Sequence, residues 1–96
     1  MVAMSVELDP ARREPLAILD AVEFRGARVL ELGCGDGRLT SRYAAAARSV
    51  VGIDTKEEEV RSAATLPTNV LFLCGSGSAL PFSAETFDIV LFASSL

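Results

Sequence analysis

The stretch from Arg28 to Thr40, RVLELGCGDGRLT, decides how this chain is read. Its first five residues form a short β-rich run that halts at Gly33, Gly35 and Gly37. Leu39, Tyr43 and Ala46 then return at helical spacing. The reading is strand, glycine loop, helix. Glycines permit a tight turn with positive φ and let backbone N–H groups approach a ligand that a Cβ would hold away. The same residues also build plain turns, so the neighbours must decide between a site and a turn.

Downstream, SVVGI (49–53) is a second strand. It ends at Asp54, twenty-one residues after Gly33 and close to the ~20 at which an acid in such folds accepts hydrogen bonds from ribose hydroxyls. TKEEEV opens a helix through a capping box of Thr55 and Glu58, and Pro67 closes it. VLFLC (70–74) and FDIVLFA (87–93) are continuous apolar runs of strand length, the pattern of parallel strands buried on both faces. Between them GSGSALPFSAET is a loop suited to a site. Upstream, Leu16, Leu19 and Val22 predict one opening helix over Asp9–Phe24, with Gly26 placed to end it. Residues 1–26 are thus expected to be a helical segment. Residues 27–96 are expected to be a doubly wound, Rossmann-like parallel α/β sheet, which binds ligands at the carboxyl ends of its strands.

Ninety-six residues make one domain at most, and with half of them apolar the chain can form a core. A net charge of −4 with no basic cluster argues against a nucleic-acid platform. The absence of histidine excludes Ser-His-Asp and Cys-His catalysis and His-ligated zinc. Cys34 and Cys74 lie forty positions apart without a CxxC, which predicts no zinc site, no disulfide and a reducing cytoplasm. Cys74 is expected in the core and Cys34 as a small packing residue. Glu57, Glu58 and Glu59 are read as a solvated first helical turn rather than a metal site. No apolar run approaches the ~18 residues of a membrane span, and the N-terminus has no secretory pattern.

A dinucleotide fingerprint beginning at Gly33 needs its third glycine at position 38, where Arg38 stands. Instead, the sequence resembles the class I S-adenosylmethionine-dependent methyltransferases. VLELGCGDGRLT matches their acid-x-Gly-x-Gly-x-Gly motif, VVGIDTKEEEV their second motif, and VLFLCGSGSALPFSAETFDIVLFASSL the third and fourth strands of the small-molecule members. The resemblance implies S-adenosylmethionine as cofactor and S-adenosylhomocysteine as product. Glu31 would face the methionine amino group, directly or through water, and the backbone of Gly33, Cys34, Gly35 and Gly37 would pass beside the amino-acid part. Asp54 would hold both ribose hydroxyls, Thr55 would flank the adenine, Gly77 would offer its N–H to the ring, and Ala93, just past the fourth strand, would line the methionine end. Ser76 stands where the family usually carries an aspartate; its hydroxyl accepts a weaker, uncharged bond from the adenine amine. No residue is assigned a catalytic or metal role.

Family members have about seven strands, and the resemblance here covers the first four. The sequence therefore predicts the cofactor-binding portion of a methyltransferase with an unidentified small-molecule acceptor, inactive as this chain alone. It also predicts an open apolar edge at Phe87–Ala93 that invites a second copy or a partner chain. Two other classes stay open: a non-catalytic interaction module pairing through that edge, and an NAD-binding oxidoreductase fragment.

Overall fold

A computed structural model describes residues 2–8, 22–62, 68–76 and 86–95. Among the described residues five strands form one parallel sheet: β1 (Val2–Leu8), β2 (Arg28–Leu32), β3 (Ser49–Asp54), β4 (Val70–Cys74) and β5 (Ile89–Ser95), in the order β1-β5-β2-β3-β4. Parallel neighbours need crossovers. Helix α1 (Thr40–Tyr43) lies between β2 and β3, and α2 (Glu57–Ser62) between β3 and β4. The chain steps outward from β2 to β4 and then returns to the other side of β2, so the strand order reverses between β2 and β5. The expected α/β sheet is present. Among the described residues no helix is long and apolar enough to cross a membrane.

Alternation along β2 divides the core. Val29 packs with Leu39, Tyr43, Ala44, Val50, Ile89 and Leu91 on one face, while Leu30 packs with Ile53, Phe87 and Val90 on the other. Leu39 is fully buried where the glycine loop enters α1. Burial of such a side chain contributes about 1.5–3 kcal/mol. At the amino end of the sheet, Arg28 and Asp88 fix the register of β2 against β5. The Arg28 N–H donates to Asp88 Oδ2 at 2.9 Å, the Asp88 N–H donates to the Arg28 carbonyl at 2.8 Å, and the guanidinium closes the pair at 3.2 Å. The side-chain and backbone hydrogen bonds from Arg28 hold the Asp88 carboxyl below its ordinary value.

The structure corrects the sequence reading in four places. Val2–Leu8, expected within a helical segment, is a strand paired in parallel with β5 from Val2↔Ile89 to Leu8↔Ser95. The alternation of Val2, Met4 and Val6 with Ala3, Ser5 and Glu7 suits a strand, and β5 presents it with a row of unpaired backbone groups. Consequently the strand read as Phe87–Ala93 is not an open edge. It runs from Ile89 to Ser95 between β1 and β2. The expected both-face burial of β4 fails because β4 is the outer strand: Leu71 is 56% exposed and Cys74 is exposed rather than in the core. Finally, α2 begins at Glu57, and the side chain that meets its entering backbone is Asp54, which accepts from the Lys56 N–H at 2.9 Å, rather than Thr55. The helix expected over Asp9–Phe24 falls mostly on residues 9–21, and Pro67 and most of the 75–86 loop also lie outside the described residues.

Candidate functional site

All five strands run the same way, so their carboxyl ends share one rim. The residues that follow β2, β3 and β4 meet there around a cleft of about 150 Å³, lined by Leu32, Gly33, Ile53, Asp54, Thr55, Gly75 and Ser76. That volume lies below the ~300 Å³ at which pockets for drug-sized ligands begin, so these residues form one part of a ligand's surroundings. Of the residues singled out in the sequence, Gly33, Asp54, Thr55 and Ser76 are thereby brought together. Gly77 lies outside the described residues.

The glycine loop is fastened to β3 by its own N–H groups. Those of Gly33 and Cys34 both donate to the Ile53 carbonyl, at 2.7 and 3.2 Å. The Gly35 N–H donates to Asp54 Oδ2 at 2.8 Å, and the Gly37 N–H donates to the Cys34 carbonyl at 3.0 Å. Four donors that could have cradled an anion are therefore engaged within the protein. Gly33 has φ +80°, and a Cβ there would lie 2.4 Å from the carbonyl oxygen of Ala93. Only glycine fits, because both the conformation and the space exclude a side chain. Ala93 thus meets the loop from β5; it lies within that strand, not past its end.

The charges that act on Cys34 are negative. Cys34 is buried, and burial pushes its thiol up to about 12, helped by the carboxylates of Glu31, Asp54 and Glu59. A thiol so placed is inert as a nucleophile and serves as packing. It sits against Gly52, where a Cβ would come within 3.0 Å of the Cys34 Cβ and 2.8 Å of the Phe72 ring. The sequence reading gave Gly52 no role. A glycine inside a strand was the available signal for such a close approach.

Glu31 is fully buried at the end of β2, on the face opposite Leu32. Its Oε1 accepts from the Thr40 hydroxyl at 2.9 Å and from the Tyr43 hydroxyl at 2.5 Å, while Oε2 is buried without a partner. Burial raises its pKa to about 7 against the lowering effect of the two hydroxyls. The Tyr43 hydroxyl is pushed well above its ordinary value by burial and by the Glu31 charge. Glu31 does not line the cleft, although its neighbours Leu32 and Gly33 do. Thr40 and Tyr43 were not singled out in the sequence. Their spacing of nine and twelve residues from Glu31 becomes contact only when the loop folds α1 back against β2. Among the described residues no group of three or more His, Cys, Asp or Glu could hold a metal ion.

Comparison with known proteins agrees with this architecture. Residues 29–96 match the family model described as a methyltransferase domain. The chain is 36% identical over 87 residues to the ubiquinone biosynthesis O-methyltransferase of Rhizobium johnstonii, covering 86% of this chain and 32% of that protein. Among solved structures it resembles the YcgJ protein of Bacillus subtilis, with a TM-score of 0.72 and 28% identity over 79% of this chain and 35% of that one. It also resembles the phosphoethanolamine N-methyltransferase 1 of Haemonchus contortus, solved with phosphoethanolamine and S-adenosylhomocysteine, with a TM-score of 0.69 and 25% identity over 78% of this chain and 17% of that one. The chain spans about a third of the length of the Rhizobium relative. The family match extends over most of the chain and starts within β2, the strand that carries the glycine loop: this chain belongs to the methyltransferase domain family.

Proposed function

We propose that this chain forms the S-adenosylmethionine-binding portion of a methyltransferase whose acceptor is a small molecule. One observation carries the reading: the cleft offers the carboxylate of Asp54, while the N–H groups of Gly33, Cys34, Gly35 and Gly37 are engaged within the protein. A pyrophosphate needs free N–H donors or cations, and in the cleft it would meet the carboxylate of Asp54 instead. Ribose hydroxyls, an ammonium and a sulfonium need the reverse, acceptors and negative potential. The NAD alternative loses its support on this ground. The interaction-module alternative rested on an unpaired edge at β5, which is paired on both sides.

The residues present suit the cofactor. Asp54 accepts one backbone N–H on each oxygen and keeps further acceptor capacity on both for ribose hydroxyls. Leu32 and Ile53 give the cleft an apolar wall, and Thr55 and Ser76, which line it, are assigned to the adenine; Gly77 is assigned there on the sequence resemblance alone. Ala93 and the glycine loop are assigned to the methionine end. When bound, the cofactor supplies a methyl group on a sulfonium, so the protein's part is alignment and exclusion of water, with no base required of this chain. The Rhizobium relative is named for O-methylation in ubiquinone biosynthesis and the Haemonchus structure holds phosphoethanolamine, which supports a small-molecule acceptor. The assignment to a reducing compartment such as the cytoplasm rests on the cysteine spacing, which has no CxxC.

Calorimetric titration of the chain with S-adenosylhomocysteine and with NAD tests the reading. Binding of the first and not the second is expected. The opposite preference would overturn it.

A further inference from the structure

Glu31 presents an imbalance that the fold does not need. Two buried hydroxyls, from Thr40 and Tyr43, both donate to Oε1, and Oε2 is buried with no donor among the described residues. A carboxylate could have taken one hydroxyl on each oxygen at lower cost, since an unsatisfied buried acceptor is expensive. Tyr43 is held in this arrangement from behind: its ring stacks on Phe24 with centroids 4.4 Å apart and an interplanar angle of 21°. Thr40 and Tyr43 belong to one short helix, α1, which follows directly from the glycine loop.

We propose that Thr40 and Tyr43 are positioning residues for the cofactor: by sharing Oε1 they keep Oε2 of Glu31 as a vacant acceptor for the ammonium of its methionine part. This rests on the cofactor reading above and adds to it the residues that set the receptor. Oε2 is sealed from solvent in the structure, and an ammonium reaches it only if the groups that cover it move aside. The groups that face Glu31 are Tyr43 and Thr40 on α1 and the Cys34 thiol on the loop, and none of them is cationic. A ligand ammonium therefore supplies a positive charge that none of the described residues brings to Glu31. Burial holds Glu31 half-protonated at about pH 7, and the hydroxyls lower that point. Ammonium binding should strengthen as pH rises through 7, and removing a hydroxyl should move the midpoint upward.

The experiment compares S-adenosylhomocysteine with 5′-methylthioadenosine, which keeps the nucleoside and thioether but lacks the amino-acid group. Tyr43→Phe keeps the stack on Phe24 and removes only the hydroxyl; Thr40→Val is the matching change on the other donor. Each should weaken S-adenosylhomocysteine by about tenfold, the scale of one hydrogen bond to a charged group, and leave methylthioadenosine unchanged. In Tyr43→Phe the midpoint of the pH dependence should rise. Glu31→Gln keeps an acceptor for both hydroxyls and should show the same ligand selectivity with the pH dependence gone, which covers the case in which the α1 variants do not fold. Equal loss for both ligands, or a pH dependence that survives Glu31→Gln, overturns the proposal and leaves the cofactor reading standing. Failure of the unmodified chain to bind either ligand overturns the cofactor reading and the proposal with it.

Discussion

The Gly35 N–H donates to Asp54 Oδ2 across 2.8 Å, so the glycine loop and the acid at the end of β3 form one unit before any ligand is present. The other oxygen of Asp54 accepts from the Lys56 N–H and turns the chain into α2. One carboxylate therefore organises the loop on one side and the start of a helix on the other, with further acceptor capacity facing the cleft.

Asp54→Ala should accordingly do two things. Affinity for S-adenosylhomocysteine should fall by roughly 1.5–3 kcal/mol, the value of hydrogen bonds to a charged group, and stability should drop by about 1–2 kcal/mol as two backbone donors lose their acceptor. Calorimetry and urea unfolding on one preparation separate the two effects. Unchanged affinity in a folded variant would refute the ribose role.

Gly33 and Gly35 should differ in tolerance. At Gly35 a Cβ meets only the mobile end of Glu59, at 3.1 Å, so Gly35→Ala should cost about 1–2 kcal/mol from its left-handed φ of +54°. At Gly33 the obstacle is the Ala93 backbone at 2.4 Å, so Gly33→Ala should cost several times more or prevent folding. Gly35→Val adds bulk next to the Asp54 bond and should abolish cofactor binding. Equal melting temperatures for the two alanine variants would contradict this picture.

Stability should depend on pH through Glu31. Its folded pKa of about 7 lies above the ordinary 4.5, so the folded state binds more protons between these values. The contribution is then full below about pH 4.5 and is lost as pH rises toward 7, on the order of 3 kcal/mol in all. Urea unfolding of the chain and of Glu31→Gln at pH 5 and pH 8 provides the check. The variant should gain on the parent at the higher pH, and a constant difference at both would argue that Glu31 does not titrate in this range.

Removal of residues 1–8 should expose the β5 backbone that β1 now pairs and should uncover the core near Met4. Sedimentation is expected to show a monomer for the intact chain and self-association for the shortened one. Two monomers of equal stability would show that β1 is dispensable.

Much was legible because some signals are local. RVLEL is β-rich, its run ends at Gly33, and the alternation that places Val29 and Leu30 on opposite faces follows from strand geometry alone. Asp54 was identifiable by its distance along the chain from Gly33, since one crossover unit has a narrow range of lengths. The missed strand at Val2–Leu8 had a weak alternating pattern, and nothing local reveals that β5, eighty-seven residues from Val2 at its first rung, is its partner.

The sequence by itself determined the parallel α/β class, the glycine loop and the acid that follows it, because each is written in short runs of residues with fixed conformational preferences. Only the tertiary structure decided that the loop's N–H groups turn inward onto Ile53 and Asp54, that Thr40 and Tyr43 converge on one oxygen of Glu31, and that β1 closes the edge of β5. These are choices of hydrogen-bond partner between distant segments. A buried donor or acceptor must be satisfied somewhere, but which group satisfies it depends on what the fold brings within about 3 Å.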